Sequence, residues 1–302
     1  MTSAPDILCI GSVLWDIIGR SPQPMPQGAD RPGRITRLPG GVAMNIAMAL
    51  ARLGLRPALL TAIGRDAEGE DLLAACTALG LETGHVHRPE GLATDRYMAV
   101  EADGGLIAAI ADAHTLEAAG AAILAPLADG RLGSAARPWP GPVALDGNLT
   151  AALLAEIATS PLFAGADLRV APASPGKAER LEPLLGHAGA TLYLNLEEAS
   201  ILCGRACAGA PEAAARLVAA GARRVLVTDG AAPAADGMAG DGVLVAAPPP
   251  VPVARVTGAG DRFMATHMAA DLAGADRAAA LARGLAAAAE HVAGDGAPPP
   301  PP

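Results

Sequence analysis

Aromatic side chains are scarce in this chain: Phe, Trp and Tyr make up 2% of its 302 residues, although hydrophobic residues reach 51%. The core must therefore be built from Ala, Val, Leu and Ile. The length is enough for one large α/β domain with a substantial core. We assign this domain to residues 1–296 and expect the proline run at residues 297–302 to be disordered, because it offers nothing to pack.

Clusters of basic residues and long apolar runs are also missing. The formal net charge is -9, and no run of Lys or Arg stands out, which argues against a nucleic-acid-binding surface. No uninterrupted apolar stretch reaches about 18 residues, and no basic segment followed by an apolar run begins the chain. We therefore expect a small-molecule partner, with no nucleic acid and no membrane among the partners.

Metal-binding and disulfide patterns are absent from the cysteines and histidines. Cys9, Cys76, Cys203 and Cys207 show no CxxC spacing, and the six histidines form no HxxH or HExxH pattern. Neither a zinc site nor a Ser/His/Asp triad is predicted. We expect reduced thiols in a cytoplasmic protein.

Strand and helix patterns alternate along most of the chain. Repeated strand–helix units between residues 143 and 228 predict a doubly wound α/β fold with a mainly parallel sheet, whose ligands collect at the carboxyl ends of the strands. Residues 97–100 and 106–110 instead flank a turn at Ala102-Asp103-Gly104-Gly105, which predicts a local antiparallel hairpin. With residues 34–38 it would form a small β-sheet lid, built from segments at about residues 13–39 and 94–112.

A glycine-rich turn precedes a helical pattern near the end of the chain, at Gly258-Ala259-Gly260-Asp261. The free N–H groups at the start of a helix favour an anion. Asp261 would lie in the first turn beside that anion, which suits a base that removes a proton from a nucleophile attacking a phosphate. An N-capping Asp after an ordinary glycine turn has the same local sequence.

Two further glycines, Gly40 and Gly41, open a helix that carries Asn45 one turn inside. Such a turn either brings the backbone close to a polar ligand, with Asn45 bonding its hydroxyls, or is an ordinary glycine turn with a solvated Asn. Asp16, inside an apolar strand, either binds the same hydroxyls or caps a loop.

Two strand ends carry polar residues that each allow a functional and a purely structural interpretation. Asn195 and Glu198 follow a strand and lie one helical turn apart, which suits either a hydrated Mg²⁺ near nucleotide phosphates or a helix-capping pair. Thr228 and Gly230 follow the next strand and would either border a nucleotide or form a common strand-end turn.

Taken in order, these motifs resemble the ribokinase-like sugar kinases, the PfkB family, over nearly the whole chain. The resemblance is carried by residues 40–47 with Leu53-Gly54 behind them, by residues 256–261, and by the NxxE pair between them. It implies an ATP-dependent phosphotransferase with a doubly wound α/β domain and a small β-sheet lid. Asp261 would be the base, and the N–H groups at residues 258–260 would form an anion hole that stabilises the phosphoryl group in transfer.

The same resemblance assigns roles to the remaining motif residues. Those that would act in catalysis are Asp261, Gly258, Ala259 and Gly260. Those that would hold the acceptor are Asp16, Gly40, Gly41 and Asn45. Those that would border the nucleotide are Thr228, Gly230 and Thr257, and those that would organise Mg²⁺ are Asn195 and Glu198. A K⁺ site near the anion hole and a homodimer through the exposed edges of the lid are also implied.

Within the family, residues 30–42 look most similar to the pseudouridine kinases, as do residues 94–112, which add Arg96 and Asp112 to the acceptor side. Residues 146–148 and Pro172-Ala173-Ser174 with Lys177 also resemble that subgroup. The expected reaction is phosphorylation of the primary hydroxyl of a ribose-bearing molecule, with pseudouridine giving pseudouridine 5′-phosphate. A kinase of a free sugar or another nucleoside is the alternative. A non-catalytic nucleotide-binding regulator is a further one, although the retained Asp261 argues against it. Arg255-Val256 departs from the Asp-Thr that many members carry there.

Overall fold

The computed structural model describes residues 4–102 and 105–294. The predicted turn residues Asp103 and Gly104 and the predicted disordered tail lie outside the described residues. In chain order the strands are β1 (Ile7–Ile10), β2 (Leu14–Ser21), β3 (Arg34–Gly40), β4 (Pro57–Leu60), β5 (Arg96–Ala102), β6 (Gly105–Asp112), β7 (Pro142–Asp146), β8 (Asp167–Ala171), β9 (Ala190–Asn195), β10 (Arg224–Asp229), β11 (Ala232–Met238) and β12 (Gly242–Ala246).

The helices of the described ranges connect these strands. They are α1 (Val42–Arg52), α2 (Ala67–Ala78), α3 (His114–Ala119), α4 (Ala125–Ala128), α5 (Ala151–Thr159), α6 (Glu182–Leu185), α7 (Leu196–Leu202), α8 (Ala210–Ala219), α9 (Ala259–Leu272) and α10 (Arg277–Val292). Among the helices predicted between residues 143 and 228, the one after β8 is instead a 3-10 helix, Pro175–Leu181, followed by α6, and prolines lie in the first turn of both pieces. Within the described ranges, no helix combines the length and apolar character needed to cross a bilayer.

The large sheet has the order β12-β11-β10-β9-β8-β7-β1-β4. Its strands from β4 to β10 pair in parallel, and β11 and β12 add an antiparallel edge. The predicted doubly wound, mainly parallel α/β fold is therefore confirmed. Because parallel neighbours all point the same way, the loops after β1, β7, β8, β9 and β10 open at one edge of the sheet.

The core consists of two apolar layers, one on each face of the large sheet. Leu8 and Ile10 of β1 belong to the layer that includes α5 and α8, whereas Ile7 and Cys9 belong to the layer that includes α1 and α9. This division follows from the two-residue alternation of side chains along a strand. Strands that are covered on both faces must be apolar throughout, which is why β1 reads as an unbroken apolar run.

The second sheet has the order β3-β2-β5-β6 and stands beside the carboxyl ends of the large sheet's strands. The predicted hairpin is present, since β5 and β6 pair antiparallel. In contrast, β2 and β5 pair in parallel, which the chain achieves through the long connection containing β3, α1, β4 and α2. In the resulting register Asp16 lies beside Tyr97, and Tyr97 lies beside Ala111.

Candidate active site

A cleft of about 590 Å³ lies where the small sheet meets the carboxyl ends of the large sheet's strands. Most of the residues singled out from the sequence line it: Asp16, Gly41, Asn45, Asn195, Glu198, Thr228, Thr257, Gly258, Gly260 and Asp261. Five of them are not among its lining residues: Gly40, Arg96, Asp112, Gly230 and Ala259. Motifs that are more than 200 positions apart in the chain thus share one cavity.

Helix α9 begins at the predicted glycine turn. Gly258 has φ 85°, a left-handed conformation that glycine adopts without strain, and it is the residue before the first helical turn. Asp261 lies in that first turn. The N–H of Ala259 donates to the carbonyl of Val256 at 3.1 Å. The N–H of Ala259 is therefore already used within the turn. Gly258 and Gly260, which line the cleft, are the two predicted anion-hole residues that remain.

The carboxyl group of Asp261 contacts the other glycine motif directly, because Asn45 Nδ2 donates to Asp261 Oδ2 at 2.9 Å. Burial raises the pKa of Asp261 to about 7, the nearby charges of Asp146, Asp16 and Glu198 raise it as well, and the hydrogen bond from Asn45 lowers it. A carboxyl group whose pKa is near neutrality is matched to general-base catalysis.

The two glycines before α1 allow close approaches of the backbone. A Cβ at Gly40 would overlap the carboxyl group of Asp16, and a Cβ at Gly41 would overlap the carbonyl of Ser12. Gly41 also has φ 96°, which other residues rarely adopt. Gly40 therefore packs against the carboxyl group of Asp16 and does not itself line the cleft. The packing around Asp16 raises its pKa to about 6 through burial.

Sequence reasoning gave no role to Asp146, which is fully buried at the end of β7. Its carboxyl oxygens accept hydrogen bonds from the N–H groups of Ser12 at 2.8 Å, Ala43 at 2.9 Å and Asn148 at 2.8 Å. Burial raises the pKa of Asp146, and these three bonds oppose the rise. Asp146 thereby ties the start of α1 to β1 and β7. An acid at the end of an apolar strand was the signal for it.

The strand alternation of the small sheet decides which of its side chains face the cleft. Asp16, Tyr97 and Ala111 share a register row and line the cleft. Arg96 and Asp112 are one residue away on β5 and β6 and do not line it: Arg96 Nε pairs with Glu68 at 2.8 Å, and Asp112 pairs with the His114 ring at 2.7 Å. Their predicted role toward the acceptor stays a prediction. Tyr97, the residue after Arg96 on β5, is the one that lines the cleft.

Asn195 and Glu198 form the capping pair that was one of the two interpretations of their spacing. Asn195 Oδ1 accepts from the Glu198 N–H at 2.9 Å, and Glu198 Oε2 accepts from the Asn195 N–H at 2.8 Å. Both residues also line the cleft, and burial raises the pKa of Glu198. Capping leaves the second carboxylate oxygen of Glu198 for other uses, so the two functions are compatible.

The cleft offers few side-chain ligands for a metal. No group of three or more His, Cys, Asp or Glu side chains that could hold a metal occurs in residues 4–102 and 105–294. A metal that needs three or more such ligands, as zinc does, is therefore a poor fit. Mg²⁺ keeps most of its waters and needs only one or two carboxylate oxygens, so Glu198 with Asn195 fits it.

A buried polar chain supports helix α9 from beneath. The Tyr193 hydroxyl and His267 Nδ1 lie 2.9 Å apart, and Arg169 donates to the same hydroxyl at 3.2 Å. Tyr193 lines the cleft, whereas His267 lies on α9, six residues beyond Asp261. The chain thus links the cleft floor to the helix that carries Asp261. Nothing in the sequence pattern pointed to it.

Comparisons with known proteins agree with this geometry. The pfkB family of carbohydrate kinases matches residues 4–302. The pseudouridine kinase of Escherichia coli (strain K12) is 30% identical over 274 residues, which cover 86% of this chain and 81% of that protein. An uncharacterized sugar kinase of the same organism is 33% identical over 211 residues, which cover 68% of this chain but only 55% of that protein.

Solved structures share the fold over almost the whole chain. A carbohydrate kinase from Agrobacterium tumefaciens superposes with a TM-score of 0.77 at 27% identity, covering 95% of this chain and 90% of that one. A ribokinase from Arabidopsis thaliana complexed with ribose and ATP gives a TM-score of 0.74 at 21% identity, covering 96% and 93%. By the match across its length, the cleft and the shared fold, this chain belongs to the pfkB family of carbohydrate kinases.

Proposed function

We propose that this kinase transfers the γ-phosphoryl group of ATP to the primary hydroxyl of a ribose-bearing small molecule, with pseudouridine as the acceptor. The observation that carries the proposal is the Asn45–Asp261 hydrogen bond, 2.9 Å long, which joins the acceptor-side motif to a carboxyl group whose pKa is about 7. The 30% identity to a pseudouridine kinase supports the choice of acceptor.

On the acceptor side, Asp16, Gly41 and Asn45 hold the sugar hydroxyls, and Asp261 accepts the proton of the reacting hydroxyl. The oxygen then forms a bond to the γ-phosphorus while the bond from that phosphorus to the bridging oxygen of ADP breaks. Asp261 keeps the proton until it is released to solvent. Because the reacting oxygen and the base share one cavity, most of the rate enhancement comes from positioning and electrostatic stabilisation.

On the donor side, the N–H groups of the glycine turn at Gly258 and Gly260 stabilise the phosphoryl charge, as a helix N-terminus does for anions. Thr228 and Thr257 border the nucleotide. Asn195 and Glu198 would hold a hydrated Mg²⁺, which would neutralise charge on the phosphates. A K⁺ ion beside the glycine turn stays a prediction, and assays in matched potassium and sodium salts test it.

Tyr97 favours an acceptor that carries a nucleobase over a free sugar. It lies beside Asp16 in the register of the small sheet and lines the cleft. An aromatic side chain next to the sugar-binding carboxyl group offers a flat apolar surface on which a nucleobase can stack. Free sugars would leave this surface uncovered.

A panel of acceptors with Mg-ATP tests the proposal: pseudouridine, uridine, adenosine, ribose, fructose and 2-keto-3-deoxygluconate. We expect the highest kcat/KM for pseudouridine, with phosphate on its 5′ oxygen. Turnover of a free sugar but not of pseudouridine would overturn the acceptor and leave the kinase. If no acceptor were phosphorylated, the chain would be a nucleotide-binding regulator instead.

We also propose a homodimer through the small sheet. Its edge strands are β3 and β6, and large apolar side chains are exposed on it: Ile35 at 79%, Met98 at 47%, Ile107 at 52% and Ile110 at 62%. Edge strands with exposed apolar residues invite pairing. Light scattering after size exclusion should give a dimer mass for the wild type and a monomer mass for Ile110→Glu. A monomeric wild type would contradict this.

A further inference from the structure

Basic residues in this chain are almost all arginine. Lys177 is the one lysine among its 22 Lys and Arg residues, so the other 21 are arginines. The two side chains are not interchangeable, because lysine presents a compact ammonium with three donors whereas the guanidinium group is a planar fork. Lys177 therefore provides a kind of donor that no other side chain of this sequence provides.

Lys177 lies in the active cleft. It is the only Lys or Arg among the residues that line the cleft within the described ranges, where the charged companions are Asp16, Glu198 and Asp261. Its side chain is half-buried. Burial lowers the pKa of Lys177, the charge of Arg180 lowers it as well, and the charges of Asp146 and Glu117 oppose both effects. A cleft that binds polar oxygen-rich molecules thus contains one cationic donor.

The loops after β7 and β8 hold this ammonium in place. Lys177 Nζ donates to Oδ1 of Asn148, which follows β7. A Cβ at Gly147 would overlap the carbonyl of Pro172, so glycine there lets the two loops touch. Ala173, in the second loop, has φ 72° and is the one non-glycine residue with positive φ in the part of the chain that the structure describes. Strain of this kind is typical of functional sites.

The surroundings of Lys177 place it toward the acceptor half of the cleft. Asp146 ends β7, which pairs with β1, and Glu117 lies on α3, directly after the small sheet's strand β6. The strands β9 and β10, which carry the residues proposed for metal and nucleotide, lie on the other side of β8. The bond from Lys177 Nζ to Asn148, which follows β7, holds the ammonium on the β7 side, although the 3-10 helix that carries Lys177 also packs against α7. Lys177 is therefore suited to meet a part of the acceptor.

We infer that Lys177 determines acceptor specificity by donating a hydrogen bond to a carbonyl oxygen of the nucleobase. The inference rests on the proposed function and deepens it by naming the substrate class. The base of pseudouridine has two carbonyl oxygens, whereas adenine presents ring nitrogens and an amino donor. A site built to hydrogen-bond a ligand through a half-buried donor disfavours ligands that leave this donor unpaired. Lys177 thus selects carbonyl-bearing bases over adenine.

The single lysine allows a direct binding test. The full chain is treated with an amine-selective acylating reagent, and the peptide containing Lys177 is quantified by mass spectrometry. Saturating pseudouridine should slow acylation of Lys177 by about tenfold or more, because bound ligand covers the amine at nearly full occupancy. A non-hydrolysable ATP analogue alone should leave the rate unchanged. Protection by the nucleotide analogue and not by pseudouridine would overturn the inference.

Kinetics of Lys177→Met supply the second test. The KM for pseudouridine should rise by roughly 10- to 100-fold, the usual effect of losing a hydrogen bond to a charged group, while the KM for ATP stays the same. Arg283→Met is the matched control, because it removes one positive charge from an exposed position of α10 that does not line the cleft. It should change neither KM. If Lys177→Met fails to fold, the acylation result still decides.

The two proposals fail in different ways. A wild type that does not phosphorylate pseudouridine would sink the proposed acceptor. Normal pseudouridine turnover with an unshifted acceptor KM in folded Lys177→Met would sink the specificity role alone. A rise in the KM for ATP without a rise in the KM for the acceptor would mean that Lys177 contacts the phosphates of ATP. That result would also overturn the inference.

Discussion

At the scale of single residues, opposing effects set the ionisation of Asp261. Burial and the carboxyl groups of Asp146, Asp16 and Glu198 favour its protonated form, whereas the hydrogen bond from Asn45 favours the charged form. The result is a pKa of about 7, far above that of an exposed Asp. A base of this kind accepts a proton at neutral pH and gives it up again.

The pH dependence of turnover tests this balance. We expect kcat/KM for the acceptor to fall below pH about 7, because protonated Asp261 cannot accept a proton. Asn45→Ala removes the bond that lowers the pKa, so the acid limb should move to higher pH. Asp16→Asn removes a charge that raises the pKa, so the limb should move to lower pH. Acid limbs that coincide for wild type, Asn45→Ala and Asp16→Asn would contradict the assignment of Asp261 as the base.

Single residues were predicted unevenly from the sequence. Asp261, Asn45 and Asp16 stood in motifs whose local geometry follows from glycine turns and strand ends, so their presence in one cleft could be expected. Asp146 and Tyr97 lie in segments that resemble the pseudouridine kinases, but the resemblance gave no orientation for their side chains. Their positions depend on burial and on the facing of a strand in a sheet, which arise only when distant segments pack together.

At the scale of elements, the glycine turns before α1 and α9 shape the cleft. Gly41 and Gly258 both have positive φ, and each precedes a helix whose first turn carries cleft residues. The predicted hairpin segments, residues 97–100 and 106–110, lie within two residues of the ends of β5 and β6, because the glycines between them mark the turn in the sequence. The sequence pattern did not distinguish the 3-10 helix at residues 175–181 from a short α-helix.

Gly41→Ala tests the close approach at α1 against a matched control. Gly54 also has positive φ, 89°, but a Cβ there meets nothing within 4 Å. Both variants place a non-glycine residue at positive φ, which costs about 1–3 kcal/mol, and Gly41→Ala adds a clash with the Ser12 carbonyl that costs about 1–3 kcal/mol more. Urea denaturation should therefore show the larger loss for Gly41→Ala. Equal losses would mean that Ser12 moves aside.

At the scale of the whole molecule, the alternation of strands and helices sufficed to predict a doubly wound sheet. The strand order did not follow from it, because pairing partners such as β1 and β7 are separated by more than a hundred residues. The parallel pairing of β2 with β5 was missed for the same reason. A largely buried ionic cluster joins Arg169 on β8, Arg224 on β10, Asp236 on β11, Asp271 on α9 and Arg277 on α10. It was also unforeseen, since its members are single Arg and Asp residues on separate elements.

Asp236 is the centre of part of that cluster and provides a stability test. It is fully buried and pairs with Arg224 at 2.8 Å and Arg277 at 3.3 Å. Burial opposes its ionisation, but the two arginines prevail and lower the pKa of Asp236. Asp236→Asn leaves buried charges uncompensated and should cost about 3–5 kcal/mol in the free energy of unfolding at pH 7.

The sign of the pH dependence follows from the lowered pKa. The stability that ionised Asp236 contributes is present above the unfolded pKa of about 3.9 and is lost as the pH falls through the lower folded value. The gap between wild type and Asp236→Asn in urea denaturation should therefore narrow in acid. Glu179→Gln, at an exposed carboxyl group, is the control, and it should leave the free energy of unfolding nearly unchanged at every pH. A gap that is equally wide at pH 3 and pH 7 would contradict the account.

The most direct test of the central claim compares wild type with Asp261→Asn in one assay, the formation of pseudouridine 5′-phosphate from Mg-ATP, with ATP binding measured by calorimetry. We predict product with the wild type and a loss of turnover of about 10²- to 10⁴-fold in the variant, which still binds ATP, because only the base is removed. Turnover by Asp261→Asn within tenfold of wild type would contradict the assignment of the base, and a wild type that phosphorylates no ribose-bearing acceptor would contradict the proposed function.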